Sequence, residues 1–338
     1  MKKLEAYRKT CNKAIDFELK ERLDAYRNAC NKAIDFQMSF QLSDGGFIWD
    51  GYPTDAHHKQ AYSWSFGGHG GEIQKLLTWI RDTRLQADGQ LKDYNGDIYK
   101  HAWLFHGAHK AGRYEVSYPV MKFLKENQAP CGGLPHFAPN NKVLRALSTA
   151  WTGHAALFAG ETATAEKALS WCLSVIKQQP SKDKFFYQTD AAGKLLLEKD
   201  GGECVDIQKT KQCYWEVGFM LILTTKFYLM TKRQEYLDAS KMMFEFLYRC
   251  SDDNFSYWGS GKGALGAAIY YTITGDERAK ESALEFCEFV LRTQTPKGGF
   301  CYEDEPDELL IYVDHAACFS TWGIGAIEMI ESTIKTNR

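Results

Sequence analysis

Gln294-Thr295-Pro296-Lys297-Gly298-Gly299-Phe300-Cys301-Tyr302 ends one amphipathic segment and leads into an apolar one, and the chain repeats this arrangement. Gln41 leads into Asp44-Gly45-Gly46-Phe47-Ile48-Trp49, and Gln86 into Asp88-Gly89-Gln90-Leu91. Gln128 leads into Gly132-Gly133-Leu134-Pro135-His136-Phe137, and Gln179 into Lys184-Phe185-Phe186-Tyr187. Cys250 takes the place of Gln before Asp253-Asn254-Phe255-Ser256-Tyr257-Trp258. These six copies recur irregularly, mostly at about 43 residues, which marks one supersecondary unit used repeatedly. Gly supplies the positive φ that ends a helix. Phe-x-aromatic is extended, so its two large side chains point the same way, placed to wedge between the finished helix and the next. The Gln amide is suited to the orphan carbonyls of a helix end.

Between the turns the segments fall into two classes. Amphipathic helices are predicted before the turn, over about 23–41, 72–84, 114–127, 162–178, 233–249 and 277–293. Apolar, small-residue-rich helices follow it, over about 57–66, 99–112, 141–159, 211–230, 260–274 and 310–332. Half-wet helices alternating with drier ones are what a closed double ring requires. The predicted fold is therefore all-α, an (α/α)6 toroid of six hairpins. Residues 4–17 nearly copy residues 23–36, nineteen positions later. Residues 1–20 are read as an extra, duplicated N-terminal helix and 21–338 as a single toroid domain. The polar segment 188–208 is the longest insertion and is placed at a mouth of the ring.

The 338-residue chain is 44% hydrophobic and 14% aromatic, enough for a substantial core. A net charge of −2 argues against nucleic acid as a partner. No apolar run reaches the length of a membrane span, and the start lacks a signal-peptide core. Ten Cys without CxxC pairing read as reduced thiols in a cytoplasmic protein, with no zinc site and no cofactor implied. The expected partner is a small-molecule substrate, and a homodimer is compatible with the sequence.

At its turns the chain resembles the Gln-Trp-type repeats of the squalene-cyclase and protein-prenyltransferase toroid superfamily, best at QLSDGGFIW, QAPCGGLPHF and QTPKGGFCY. The likeness spans about residues 38–332 and points to an uncharacterised cyclase-like branch. The superfamily's Asp-x-Asp-Asp and Asp-Asp-x-x-Asp motifs are absent. The architecture also resembles sugar epimerases, unsaturated-uronyl hydrolases and polysaccharide lyases. The resemblance implies the fold and leaves the chemistry to individual residues.

Each repeated turn delivers the chain to the start of an inner helix, so polar residues there converge on one mouth. His exchanges protons near neutrality, and carboxylates among aromatics have raised pKa values. Asp314 and Glu216 interrupt apolar helices, where an unpaired charge is costly. The candidate catalytic residues are Asp314, His101, Glu216, His315 and His58. The candidate substrate-binding residues are Trp49, Asp50, His57, Trp64, His136, Tyr214, Tyr257, Trp258 and Lys262. No metal ligand set is assigned, because no His-x3-His or Glu-x-x-His pair stands out. The first functional expectation is a biosynthetic enzyme acting on a terpenoid-like or polycyclic molecule by acid–base isomerisation, dehydration or cyclisation. The alternative is a lyase, epimerase or hydrolase acting on a uronic acid or oligosaccharide. A non-catalytic scaffold ranks third. The cavity lining discriminates the first two: basic residues at an open mouth favour uronic acids, and a closed, nearly uncharged aromatic pocket favours a terpenoid.

Overall fold

In the computed structural model, residues 2–47, 57–92, 94–140, 142–302 and 307–336 are described. Their helices alternate as expected from the pattern. The outer set is α1 (Lys2–Met38), α3 (Gly70–Thr83), α5 (Tyr114–Glu126), α7 (Thr162–Lys177), α9 (Gln234–Tyr248) and α11 (Glu277–Thr293). The inner set is α2 (Gln60–Gly67), α4 (Ile98–Lys110), α6 (Ala146–Phe158), α8 (Tyr214–Thr231), α10 (Gly261–Thr274) and α12 (Leu309–Thr336). Each inner helix packs on the next, and α12 packs on α2, which closes the ring. Close approach is possible because the inner helices are rich in small residues. A Cβ on Gly218 of α8 would lie 2.5 Å from the backbone nitrogen of Gly263 on α10. The two near-copies at the N-terminus run together within α1, so the first copy extends that helix.

The repeated turn acts as a staple between outer helices. Gln41 Nε2 donates to the carbonyl of Gly45 in its own turn and to that of Glu72 at the start of α3, both at 3.0 Å. Gln128 does the same to Gly132 (3.0 Å) and to Thr164 of α7 (3.1 Å). Gln294 reaches Gly298 (3.2 Å) and Ala29 of α1 (2.7 Å), so the last turn ties the end of the ring to its beginning. The amide thus serves the next outer helix as well as its own turn, a further role than the helix-end capping expected. Gly298 sits at φ +103°, and a Cβ there would lie 2.5 Å from the Lys32 carbonyl oxygen of α1. Only glycine fits that combination of backbone angle and close approach.

Two corrections concern the segment before α6 and the insertion. Val143–Arg145 forms strand β1, not the start of a helix. It pairs antiparallel with β3 (Gln188–Asp190), while β2 (Lys184–Phe186) pairs with β4 (Cys204–Asp206). Backbone hydrogen bonds from the insertion therefore win over local helix preference at 143–145. These are two separate two-stranded sheets; the first leads into α6, and Glu203, just before β4, reaches Arg145 (3.3 Å).

The axis of the ring is filled. Trp103, Trp151 and Trp322 have ring centroids 5.1–5.5 Å apart, and Phe219 lies 5.2 Å from Trp151. All four are buried. These rings separate a larger cavity at the inner-helix N-termini from a smaller one at the opposite end. The smaller cavity, about 130 Å³, is lined by residues including Tyr62, His154, Lys226 and Glu328.

Candidate active site

The larger cavity has a volume of about 320 Å³. It is built from the ends of six inner helices: His58 and Lys59 before α2, Tyr99 and Lys100 on α4, Leu147 on α6, Trp215 on α8, Lys262 on α10, and Asp314, His315 and Cys318 on α12. Asp97 and His136 complete one wall, and Trp258 another. The convergence follows from topology. Every turn returns the chain to the same end, so side chains near the N-terminal ends of separate helices, within the first three turns of α12, share one opening.

Lys59 and Asp314 form an ion pair at the seam where α12 meets α2. Lys59 is buried, and Asp314 is about a quarter exposed, on the cavity side. Burial acts to lower the lysine's pKa, but Asp314, with Cys318 and Tyr99, outweighs it, so Lys59 stays an ammonium. Burial likewise acts to raise Asp314, and Lys59 with its neighbours His315 and Lys262 holds the carboxyl below its ordinary value. The Lys59 ammonium also lies 5.8 Å from the Tyr99 ring and 5.9 Å from Trp103.

His315 is held between two rings: Trp258 at 5.8 Å and 17°, and Phe319 at 5.2 Å and 15°. Its Nδ1 has no hydrogen-bond partner among the described residues. Burial pushes its pKa down to about 4, with Asp314 pulling the other way, so the imidazole is neutral at pH 7. A neutral, oriented imidazole facing a cavity can accept a proton. Lys262 is buried, with its ammonium position 5.7 Å from the Trp322 ring. Burial lowers its pKa, and Lys59 adds to that effect, against the pull of Cys318 and Asp314. Trp215 and Trp258 pack at 4.8 Å on one side of the mouth.

Of the residues singled out from the sequence, Asp314, His315, His58, His136, Trp258 and Lys262 line this cavity. His58 meets Tyr94 edge-on at 6.0 Å, and His136 Nε2 lies 4.0 Å from Asp97. The others lie elsewhere. His101 accepts the Leu91 N–H on Nε2 at 3.0 Å, so its proton sits on Nδ1, which donates to the Asp97 carbonyl at 2.6 Å. Both nitrogens are spent on backbone, and burial lowers its pKa to about 4. His101 is a structural cross-link, not a group that faces substrate.

Glu216 is fully buried and accepts from Arg145 Nε and the Leu147 N–H, both at 2.6 Å. Its burial raises its pKa, with Arg145 and the Leu147 amide opposing. It braces the wall behind Leu147 and does not line the cavity. Tyr214 donates to Asp253 at 2.6 Å, and its neighbour Trp215 takes the cavity position. Tyr257 packs against Trp258 and Tyr302, His57 stacks on Tyr94 at 5.4 Å, and Trp64 packs on Phe47 at 5.6 Å. Trp49 and Asp50 lie outside the described residues. Lys59 and Tyr99 escaped sequence reasoning. The one available signal for Lys59 was the need of Asp314, in an apolar helix, for a cation. Among the described residues no group of three or more His, Cys, Asp or Glu is placed to hold a metal ion, and no helix is long and apolar enough to cross a membrane.

No family model matches the sequence, and no curated protein matches it. Solved structures do match the fold. A D-mannose isomerase superposes with a TM-score of 0.67 at 11% identity, covering 92% of this chain and 97% of its own. The GH76A α-1,6-mannanase of Salegentibacter sp. HEL1_6 gives 0.61 at 14%, covering 89% and 99%. The type II terpene cyclase MstE of Scytonema gives 0.61 at 12%, covering 92% and 99%. The chain folds as an α/α toroid. All three of these similar proteins are enzymes, acting on quite different molecules, so the toroid carries no substrate with it.

Proposed function

We propose that this toroid is an enzyme that moves a proton on a small, anionic, polyhydroxylated substrate: a sugar acid of the uronic-acid kind, in an isomerase, epimerase or lyase reaction. One observation carries the reading. The mouth is open and lined by three lysines, Lys59, Lys100 and Lys262, and it is stopped below by indole rings. Its volume of about 320 Å³ is at the small end of ligand pockets, which run from roughly 300 to 1,000 Å³. An extended isoprenoid needs length along the barrel axis, and Trp103, Trp151 and Trp322 occupy that axis. The charged lining therefore favours the sugar class over the terpenoid class.

The chemistry follows from the groups present. The Lys59 and Lys100 ammonium groups attract a carboxylate and stabilise negative charge that develops on a carbonyl oxygen. Trp215 and Trp258 offer apolar faces to the C–H side of a sugar ring. His315, neutral and locked between rings, takes the proton from the carbon beside the carbonyl or carboxyl group. Asp314 holds the Lys59 ammonium in place and tunes the field around His315. A hydrolase of the two-carboxylate type has less support. Asp97 caps α4 by accepting the Lys100 N–H at 3.0 Å, and Asp314 is paired with Lys59.

The test is a ligand screen by thermal shift, followed by proton exchange in heavy water watched by NMR. D-Glucuronate and D-galacturonate should stabilise the protein, less so at high salt, and should take up deuterium at one carbon. Neutral hexoses should do neither. Stabilisation by prenyl alcohols, with no response to any sugar acid, overturns the reading.

A further inference from the structure

We propose that Lys262 is a covalent catalyst, forming an iminium with the open-chain aldehyde or ketone of its substrate. The inference rests on the sugar-acid reading for the class of ligand and on the geometry of this one side chain for its chemistry. Three lysines line the cavity, and they are not equivalent. Lys59 is an ammonium held in an ion pair with Asp314. Lys100 lies at the mouth, 5.9 Å from the Tyr94 ring. Lys262 is 4% exposed and has no carboxylate within ion-pair distance among the described residues.

Three features of its surroundings oppose an ammonium there. The side chain is buried away from solvent, and only the weak attraction of the Trp322 face at 5.7 Å favours the charge. The Lys59 cation shares its cavity. Its backbone lies in the first turn of α10, where the helix presents its positive end. Burial beside another cation is the setting that turns a lysine into a nucleophile. The depressed pKa of Lys262 agrees with that setting. The backbone is also firmly placed, because Gly218 of α8 packs directly on the Lys262–Gly263 peptide.

The step balances as follows. The Nζ lone pair forms a bond to the carbonyl carbon, the carbonyl π pair moves to oxygen, and that oxygen takes up the proton which the nitrogen gives up, leaving a neutral carbinolamine. Loss of that oxygen as water, with a proton drawn from solvent at the open mouth, leaves the protonated C=N bond. His315 then removes the proton from the adjacent carbon, and the electron pair moves towards the iminium nitrogen. Reprotonation on carbon and hydrolysis by one water release product and restore the free amine. No oxidant or reductant is consumed.

The experiment is reductive trapping on the intact wild-type chain. Glyoxylate, D-glucuronate and neutral acetaldehyde are each incubated with the protein and sodium cyanoborohydride at pH 7, and adducts are mapped by peptide mass spectrometry. Lys262 should be modified several-fold faster than exposed lysines, and heat-unfolded protein should lose that preference. Lys262→Arg and Lys262→Ala should remove this adduct alone. Labelling spread evenly over surface lysines, or centred on Lys59, overturns the proposal. Its failure is separable from that of the reading beneath it. Sugar acids that bind and exchange a proton without trapping at Lys262 leave the reading and remove the covalent step. Acetaldehyde trapped at Lys262, with no sugar acid bound, leaves the reactive lysine and removes the sugar-acid reading.

Discussion

Glu216→Gln tests whether a buried acid in an inner helix serves chemistry or architecture. The substitution keeps the shape and removes the charge that faces Arg145 Nε at 2.6 Å. Breaking a buried pair by neutralising one partner costs about 3–5 kcal/mol. Arg145 is about one-fifth exposed and keeps Glu203 at 3.3 Å, and the Leu147 N–H keeps an acceptor. The lower end applies, ~3 kcal/mol, or a fall in Tm of about 4 °C for a domain of this size. Adding Arg145→Met removes the stranded cation and should recover most of that loss. The assay is differential scanning calorimetry on both variants, beside turnover in the heavy-water exchange measurement. A Glu216→Gln Tm within about 1 °C of wild type refutes the bracing role, as does a double variant no better than the single one. A single variant with normal stability and KM but lost turnover would return Glu216 to the catalytic set.

His315→Gln should slow proton exchange by about 10²–10⁴-fold, the usual worth of a positioned acid–base group, with little change in Tm. Asp314→Asn strands the buried Lys59 ammonium, so it should lower Tm, and Lys59→Met in the same chain should restore stability without restoring activity. Acid should destabilise the fold through its buried histidines. His101 and His315 stay neutral in the folded state down to about pH 4 and His154 to about pH 3. The unfolded chain protonates them near pH 6.5 and so binds more protons in that window. Their contribution is complete above about pH 6.5 and is lost as pH falls towards 4, by about 1 kcal/mol per pH unit for each histidine. Urea midpoints at pH 8, 6.5 and 5 check this, and a midpoint that rises from pH 6.5 to 5 contradicts it. Gln294→Ala removes two hydrogen bonds that close the ring and should cost about 2 kcal/mol in urea unfolding.

The architecture was legible because its signals are local. A glycine turn, an amphipathic period and a run of small apolar residues each declare themselves within a few positions, and here they agree with one another. The helix ends match to within a few residues except before α6 and at the start of α1, which runs unbroken through both near-copies. There β1 was hidden, since its partner strand lies more than forty positions away in the insertion. The candidate site was legible as a region and blurred as a set of side chains. Successive residues on a helix point about 100° apart, so Tyr214, Trp215 and Glu216 meet three different environments. Sequence reasoning chose the first and third, and the cavity takes the second.

What the sequence alone determined is therefore the unit and the ring. Hydrophobic period and glycine turns dictate a helical hairpin, and repeating such a hairpin leaves a face that only a neighbour can bury. Which polar groups meet was decided by closure of that ring. Lys59 and Asp314 are 255 positions apart in the chain and pair because α12 returns to α2. His101 was withdrawn from the cavity by the Leu91 amide, and Lys262 was left beside a cation with no carboxylate of its own among the described residues. Charge and hydrogen bonding act over a few ångströms regardless of chain distance, so their outcome exists only once the helices are in place.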